Sequence, residues 1–218
     1  MSLLLFGALV GVAALTTIQF YRGRRKNLEL LKQTTDILEE TLKPIDKEYV
    51  LIGLYVGYTA YYTLGKGLAK KAAITVTMLP RQALLYLPFS LLLRRHDRIV
   101  FVYELEIPGQ KEAHLVRKGY YRLGAKHAVG PRASEMMHEK MRLGGKKYDA
   151  FYTTGSERLL ETLKQYVERI GPEYVGHIAA VPRPPRFYLS ARLPHSPQTL
   201  HRMAMLSLEA ANKIAMML

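Results

Sequence analysis

The chain of 218 residues contains no cysteine and no tryptophan, and it carries only 18 acidic residues against 32 lysines and arginines. Without cysteine there is no disulfide framework, Cys-based zinc site, iron–sulfur cluster or thiol nucleophile. Catalytic signatures are also missing. Gly65-Lys66-Gly67 lacks the spacing of a P-loop or a dinucleotide fingerprint, and neither G-x-S-x-G nor H-E-x-x-H occurs. His96-Asp97 reads as surface structure in a polar turn, and His195 and His201 have no third metal ligand close in sequence. No catalytic, cofactor-binding or metal-binding residues are expected, and the chain reads as a non-enzyme. An unfamiliar enzyme assembled from carboxylates distant in sequence stays open. The shortage of acids leaves a net charge of +14, which suggests a polyanionic partner such as RNA, DNA or an anionic lipid surface. A hydrophobic content of 49% rules out a disordered basic tail.

The longest stretch without charge is Ser2 to Tyr21, SLLLFGALVGVAALTTIQFY. As a helix, about 20 residues at roughly 1.5 Å each cross one hydrocarbon core. Arg22, Arg24, Arg25 and Lys26 follow at once, a positive-inside flank that predicts a single-pass anchor with the N-terminus outside and the rest cytoplasmic. The membrane would be the plasma membrane in a prokaryote and the endoplasmic reticulum in a eukaryote. A cleaved signal peptide is the competing reading, but no basic n-region precedes the apolar run. Residues 22–48 form a basic flank and a membrane-proximal helix. Leu28, Leu31, Thr35, Leu38 and Leu42 recur at spacings of three and four until Pro44. This stripe would dock on the following domain or on a partner helix.

Residues 49–218 read as one α+β domain of antiparallel strands with helices packed on one face. Strands or hairpins are expected over Tyr49–Leu64, Ala73–Leu79, Arg98–Ile107 and Ala113–Leu123, the last two pairing across Pro108-Gly109. A short helix is expected around Ser134–Arg142 and a short extended piece over Tyr148–Thr153. Ser156–Ile170 is an amphipathic helix with Thr154 and Glu157 at capping-box spacing. A strand pair follows over Tyr174–Val181 and Phe187–Leu193, then a last helix capped by Ser196-Pro197. Between the second and third strands, Arg81–Leu93 is unusually apolar. Leu84, Leu85, Leu87, Leu91 and Leu92 would lie under the sheet or contact membrane or a partner.

The cations are unevenly spread. Lys111, Arg117, Lys118, Arg122, Lys126, Arg132, Lys140, Arg142, Lys146 and Lys147 face only three acids in 37 residues, half the chain's net charge. Glycines interleave with them, and Tyr120 and Tyr121 are placed to stack on bases. Such a segment suits phosphate contacts that position a protein without reading sequence. A surface facing anionic lipid and a merely solvated surface remain the alternatives.

Several pieces, in order, resemble one family. Residues 74–98, ITVTMLPRQALLYLPFSLLLRRHDR, carry a strand running into Arg-Gln-x-Leu-Leu, and Asp97 precedes the next strand. This resembles the cytosolic domain of the calumin (coiled-coil domain-containing protein 47) family, which Arg81, Gln82, Leu84, Leu85 and Asp97 match and from which Pro80 and Ala83 depart. Leu51-Ile52-Gly53, Lys147-Tyr148, the helix Leu159–Ile170, and Phe187–Leu193 followed by a Met-rich helix resemble further family elements. The resemblance implies a role in the biogenesis of multi-spanning membrane proteins, with a small Asterix-like membrane protein, the Sec translocon and the ribosome as partners. Ribosomal RNA then becomes the natural ligand for the basic segment. No acidic domain precedes the apolar run and no Lys/Glu-rich tail follows the last helix, so neither calcium buffering nor contacts of that tail carry over. The composition would suit an archaeal, minimal relative.

Overall fold

The uncharged run and the amphipathic stretch after it form one unbroken helix, α1 (Leu3–Leu42), in the computed structural model, which describes residues 3–53, 55–65, 67–83, 96–106 and 109–217. Two separate pieces were the expectation. The basic flank does not interrupt the helix because Arg and Lys are good helix formers. The helix stops at Lys43, whose φ of 46° is left-handed, just before Pro44. At about 1.5 Å per residue, α1 extends roughly 60 Å. Its first half is long and apolar enough to cross a membrane, and none of that window is buried. Its second half is a core element.

Nine strands form one antiparallel sheet in the order β1-β2-β3-β4-β9-β8-β5-β7-β6. They are β1 (Asp46–Leu51), β2 (Gly57–Thr63), β3 (Ala69–Thr77), β4 (Arg98–Leu105), β5 (Ala113–Arg117), β6 (Met137–Leu143), β7 (Lys146–Tyr152), β8 (Val175–Pro182) and β9 (Pro185–Arg192). The helices are α2 (Ala125–Val129), α3 (Glu157–Ile170) and α4 (Pro197–Ala215). Alternation along the strands sets the core. Ile74, Phe101, Leu189, Ile178, Leu115 and Ala150 are successive cross-strand partners and are all fully buried. Helix α4 lies against this row, where Tyr103 and Ser207 share a buried 2.8 Å hydrogen bond, and Tyr58 reaches Thr35 of α1 at 2.9 Å.

Three local expectations differ from the structure. Strand β5 pairs with β8 and β7 rather than with β4, because the β8–β9 hairpin takes the position beside β4. The helix expected around Ser134–Arg142 is a 3-10 turn, Pro131–Ser134, followed by edge strand β6. There, pairing with β7 through Gly144-Gly145 overrides local helix propensity, and both glycines have positive φ (50° and 75°), as a two-residue hairpin turn of matching twist requires. Helix α3 begins after Ser156 rather than with a Thr154 capping box; Ser156 makes no cap bond, and Glu157 instead accepts from Gly155 N–H at 3.3 Å. The cap of α4 matches the expectation, with Ser196 Oγ accepting from Thr199 N–H at 3.5 Å.

Candidate functional site

Helix α1 is locked to one end of the sheet through residues 19–27, while its Glu39, near the helix C-terminus, pairs with Lys47 of β1 at the other end. Its buried stripe is Gly23, Asn27, Thr34, Leu38 and Leu42, so the face is rotated from the expected one, and Leu28 is 42% exposed. Gly23 sits against the backbone of Arg81, where a Cβ would lie 2.3 Å from the carbonyl oxygen. Asn27 is fully buried and donates to the carbonyls of Tyr55 and Leu79 at 2.9 Å each. Gln19 donates to the Arg81 carbonyl at 2.9 Å. The centre of the junction is the Arg81–Asp97 ion pair, with contacts of 2.5 and 3.0 Å. Arg81 also donates to Asn27 Oδ1 at 2.9 Å, and Asp97 accepts from Leu79 N–H at 2.8 Å. The Asp97 side chain is 3% exposed, so the polar surface turn expected at His96-Asp97 is instead a buried clamp. A buried carboxylate of this kind is tolerable only when paired and hydrogen-bonded, as here.

This geometry sets the height of the domain along α1. Tyr55 and the β1–β2 turn stand beside Arg24 and Asn27, with the Arg24 guanidinium 4.4 Å from the Tyr55 ring centre. Residues 79–83 and 96–97, which flank the leucine-rich stretch, stand beside Gln19 to Asn27. The stretch itself, with the contacts expected at Leu84, Leu85, Leu87, Leu91 and Leu92, lies outside the described residues. Of the flank, Arg22, Arg25 and Lys26 are exposed, and Arg25 pairs with Glu29 at 2.9 Å.

The ten cations of the basic segment do not form one patch. Arg117, Lys118, Arg142, Lys146 and Lys147 lie at the sheet end where residues 19–27 of α1 pack, as the register from Thr77 through Arg98 and Arg192 to the end of β5 and the β6–β7 turn shows, and Arg122 is on the segment between β5 and α2. Lys111 and Arg132 are at the opposite end, Lys140 is in the middle of β6, and Lys126 is on α2. Nine of the ten are exposed. Arg117 is buried: it donates to the Glu173 carbonyl at 2.8 Å and stacks over Tyr120 at 5.3 Å. Gly144 and Gly145 serve the hairpin turn, so that glycine pair has a structural use before any phosphate contact.

The tyrosines expected to stack on bases are engaged within the protein. Tyr120 packs on Gly176, where a Cβ would meet the ring at 2.1 Å. Tyr121 belongs to a largely buried polar chain that the sequence does not announce. Glu112 Oε1 and His114 Nε2 are 3.0 Å apart, His114 Nδ1 and His177 Nε2 3.2 Å, His177 Nδ1 and Tyr121 OH 3.1 Å, and Tyr121 OH and Tyr188 OH 3.3 Å. One proton placement satisfies every link. His114 donates to the carboxylate, His177 to His114, Tyr121 to His177, and Tyr188 to Tyr121. Burial, with His114 and Arg98 nearby, holds the His177 pKa well below the ordinary histidine value. The remaining Glu112 oxygen is 2.9 Å from Arg132 Nη1 but makes no aligned hydrogen bond, so the contact counts only as an electrostatic one. Glu112, His114 and His177 are each 4% exposed, and the chain fastens the segment between β5 and β6 onto the sheet. Among the described residues, no three His, Cys, Asp or Glu side chains converge to hold a metal ion. A shallow concavity of about 580 Å³ lies elsewhere, lined by Glu48, Tyr61, Lys71, Val102, Glu104 and Arg186.

Comparison with protein-family models gives no match, and comparison with curated proteins gives none. What the chain does is therefore argued from its own residues.

Proposed function

We propose that the chain is a single-pass membrane protein whose cytoplasmic α+β domain, with its long helices on one face of the sheet, is a non-enzymatic factor in the biogenesis of multi-spanning membrane proteins, of the calumin type. One observation carries this reading. Arg81, Gln82 and Asp97, on which the family resemblance rests, are the residues at the junction of α1 with the sheet, where Gln82 Oε1 lies 3.3 Å from Asn27 Nδ2. The residues on either side of the leucine-rich stretch 84–95, Arg81 and Asp97, are held beside the end of the apolar run, where an apolar segment would meet lipid or the transmembrane part of a partner. A small Asterix-like protein and the Sec translocon are the proposed partners there. The ribosome would be met by the exposed cations of the β6–β7 hairpin, Lys140, Arg142, Lys146 and Lys147.

The test is purification of the full chain from native membranes, followed by ribosome co-sedimentation at low and high salt. The expected result is co-sedimentation that falls steeply with salt and is lost when the four hairpin cations are replaced by Glu, since several phosphate contacts release several counterions. Absence of ribosomes at low salt would sink the ribosomal part of the reading. A second reading, a membrane-surface adaptor that binds anionic lipid and has no link to translation, is favoured by the concentration of cations at the sheet end gripped by α1. Preference for anionic lipid without ribosome or translocon subunits would select it.

A further inference from the structure

Arg98 and Arg192 are direct cross-strand partners on β4 and β9, an arrangement in which like charges repel. Arg117 joins them. Arg98 and Arg117 lie 4.9 and 5.3 Å from the centre of the Tyr120 ring, and Arg98 Nε donates to Tyr120 OH and Ser190 Oγ at 3.0 Å each. Burial and the positive fields of Arg192 and Arg117 push the pKa of neighbouring His96 down. Arg117 spends its hydrogen bonds on the neutral carbonyls of Glu173 and Pro172. Among the described residues, no carboxylate lies within 4.0 Å of Arg98, Arg117 or Arg192. Asp97 is adjacent in sequence but is committed to Arg81, and the stretch 84–95 contains no acid.

The position of the cluster is as telling as its charge. Arg98 follows Asp97, which is clamped by Arg81, whose carbonyl is held by Gln19 near the end of the apolar run. The cluster is therefore tied to the part of α1 that leaves the hydrocarbon core, where phospholipid headgroups lie. We propose that the paired Arg98 and Arg192, with buried Arg117 behind Tyr120 as a fixed positive charge and exposed Lys118 at the rim, bind the phosphate of an anionic phospholipid in the membrane that α1 enters. This rests on the reading of α1 as a membrane anchor. The guanidinium pair recognises the phosphate, and the bound headgroup relieves the repulsion between Arg98 and Arg192.

The test is native mass spectrometry of the full chain in detergent, with phosphatidylglycerol and phosphatidylcholine offered at equal concentration. Wild type is expected to retain phosphatidylglycerol in preference, and inorganic phosphate at the same concentration should not displace it. Arg192→Gln and Lys118→Gln alter exposed side chains, so the fold should survive. Each should weaken retention about fivefold, which corresponds to roughly 1 kcal/mol per cation at an anionic surface. Equal retention of the two lipids, or retention unchanged in both variants, would overturn the proposal. Displacement by phosphate alone would make the cluster a free-anion site, and binding of an RNA oligonucleotide that the same variants abolish would make it an RNA site; either overturns the lipid assignment. Release of the chain from membranes by alkaline carbonate would end the anchor reading by a separate measurement.

Discussion

The two ends of the sheet carry opposite kinds of electrostatics. At the end where residues 19–27 of α1 pack, Arg98, Arg117 and Arg192 have no carboxylate partner among the described residues, and the buried acid Asp97 is spent on Arg81. At the far end, charges come in balanced pairs, such as Lys47 with Glu39 at 2.5 Å and Arg132 with Glu112 at 2.9 Å. A net charge of +14 is therefore not a uniform coat. The unpaired part lies at the sheet end beside the apolar half of α1, and the paired part lies at the other end. A uniform basic coat would suit any polyanion, whereas this polarity suits one that meets the sheet end beside the apolar half of α1.

The sharpest way to break the contrast is to remove its buried acid. Asp97→Ala leaves the largely buried Arg81 guanidinium unpaired and also strips the Leu79 N–H of its acceptor. Breaking a buried pair in this way costs about 3–5 kcal/mol. Chemical denaturation of the full chain in detergent should show that loss, and a cost below about 1 kcal/mol, the level of exposed pairs, would contradict the buried clamp.

Next in size is the contact between α1 and the sheet. Asn27→Leu removes the donor to two buried carbonyls, at a cost of about 1–3 kcal/mol for polar groups left unsatisfied. Hydrogen exchange should quicken around residues 79–83 while the far ends of β1 and β2 stay protected. Uniform loss of protection would mean that the sheet end beside Asn27 is not a separable unit.

How much of this was legible in the sequence depends on which residues meet. Alternation placed β3 and β4, the proline turn at 182–185 placed the β8–β9 pair, and the apolar run placed the first half of α1, because these signals are local. The order of the strands is not local: nothing in Ala113–Arg117 says that β8 will take the place beside it and β4 will not. The role of α1 was half legible. Leu38 and Leu42 belong to the expected stripe, but the stripe actually buried runs through Gly23, Asn27 and Thr34, whose small or polar side chains a search for leucines passes over. Four-residue spacing from Gly23 to Asn27, and again from Thr34 through Leu38 to Leu42, was the available signal. The Glu112–His114–His177–Tyr121 chain was not legible at all, since its members meet only through the pairing of β5 with β8 and the fold-back after β5.

That chain gives a prediction of intermediate size, set by pH. The folded-state pKa of His177 is depressed, so the unfolded chain binds the proton more readily. Stability contributed by the neutral ring is present above the unfolded pKa of about 6.5 and declines as pH falls below it, by at most about 1.4 kcal/mol per pH unit for one group. Denaturation midpoints between pH 7.5 and 5.5 should fall in wild type and flatten in His177→Gln. An equal slope in both would assign the titration elsewhere.

The smallest expected effect lies at the far end and tests the other half of the contrast. Lys47 and Glu39 are 2.5 Å apart and partly solvent-exposed, with Tyr49 OH also donating to Glu39. The hydrogen bonds from Lys47 and Tyr49 hold the Glu39 pKa below the ordinary glutamate value, so this contribution is lost only as pH falls through the acid range. An exposed pair is worth about 0.2–1 kcal/mol and weakens with salt. Lys47→Ala should therefore shift the denaturation midpoint slightly at low ionic strength and hardly at all at high ionic strength, while the Asp97→Ala loss persists in both. If Lys47→Ala cost as much as Asp97→Ala, charge pairing at the far end would be structural in the same sense as the clamp, and the polarity drawn between the two ends would fail.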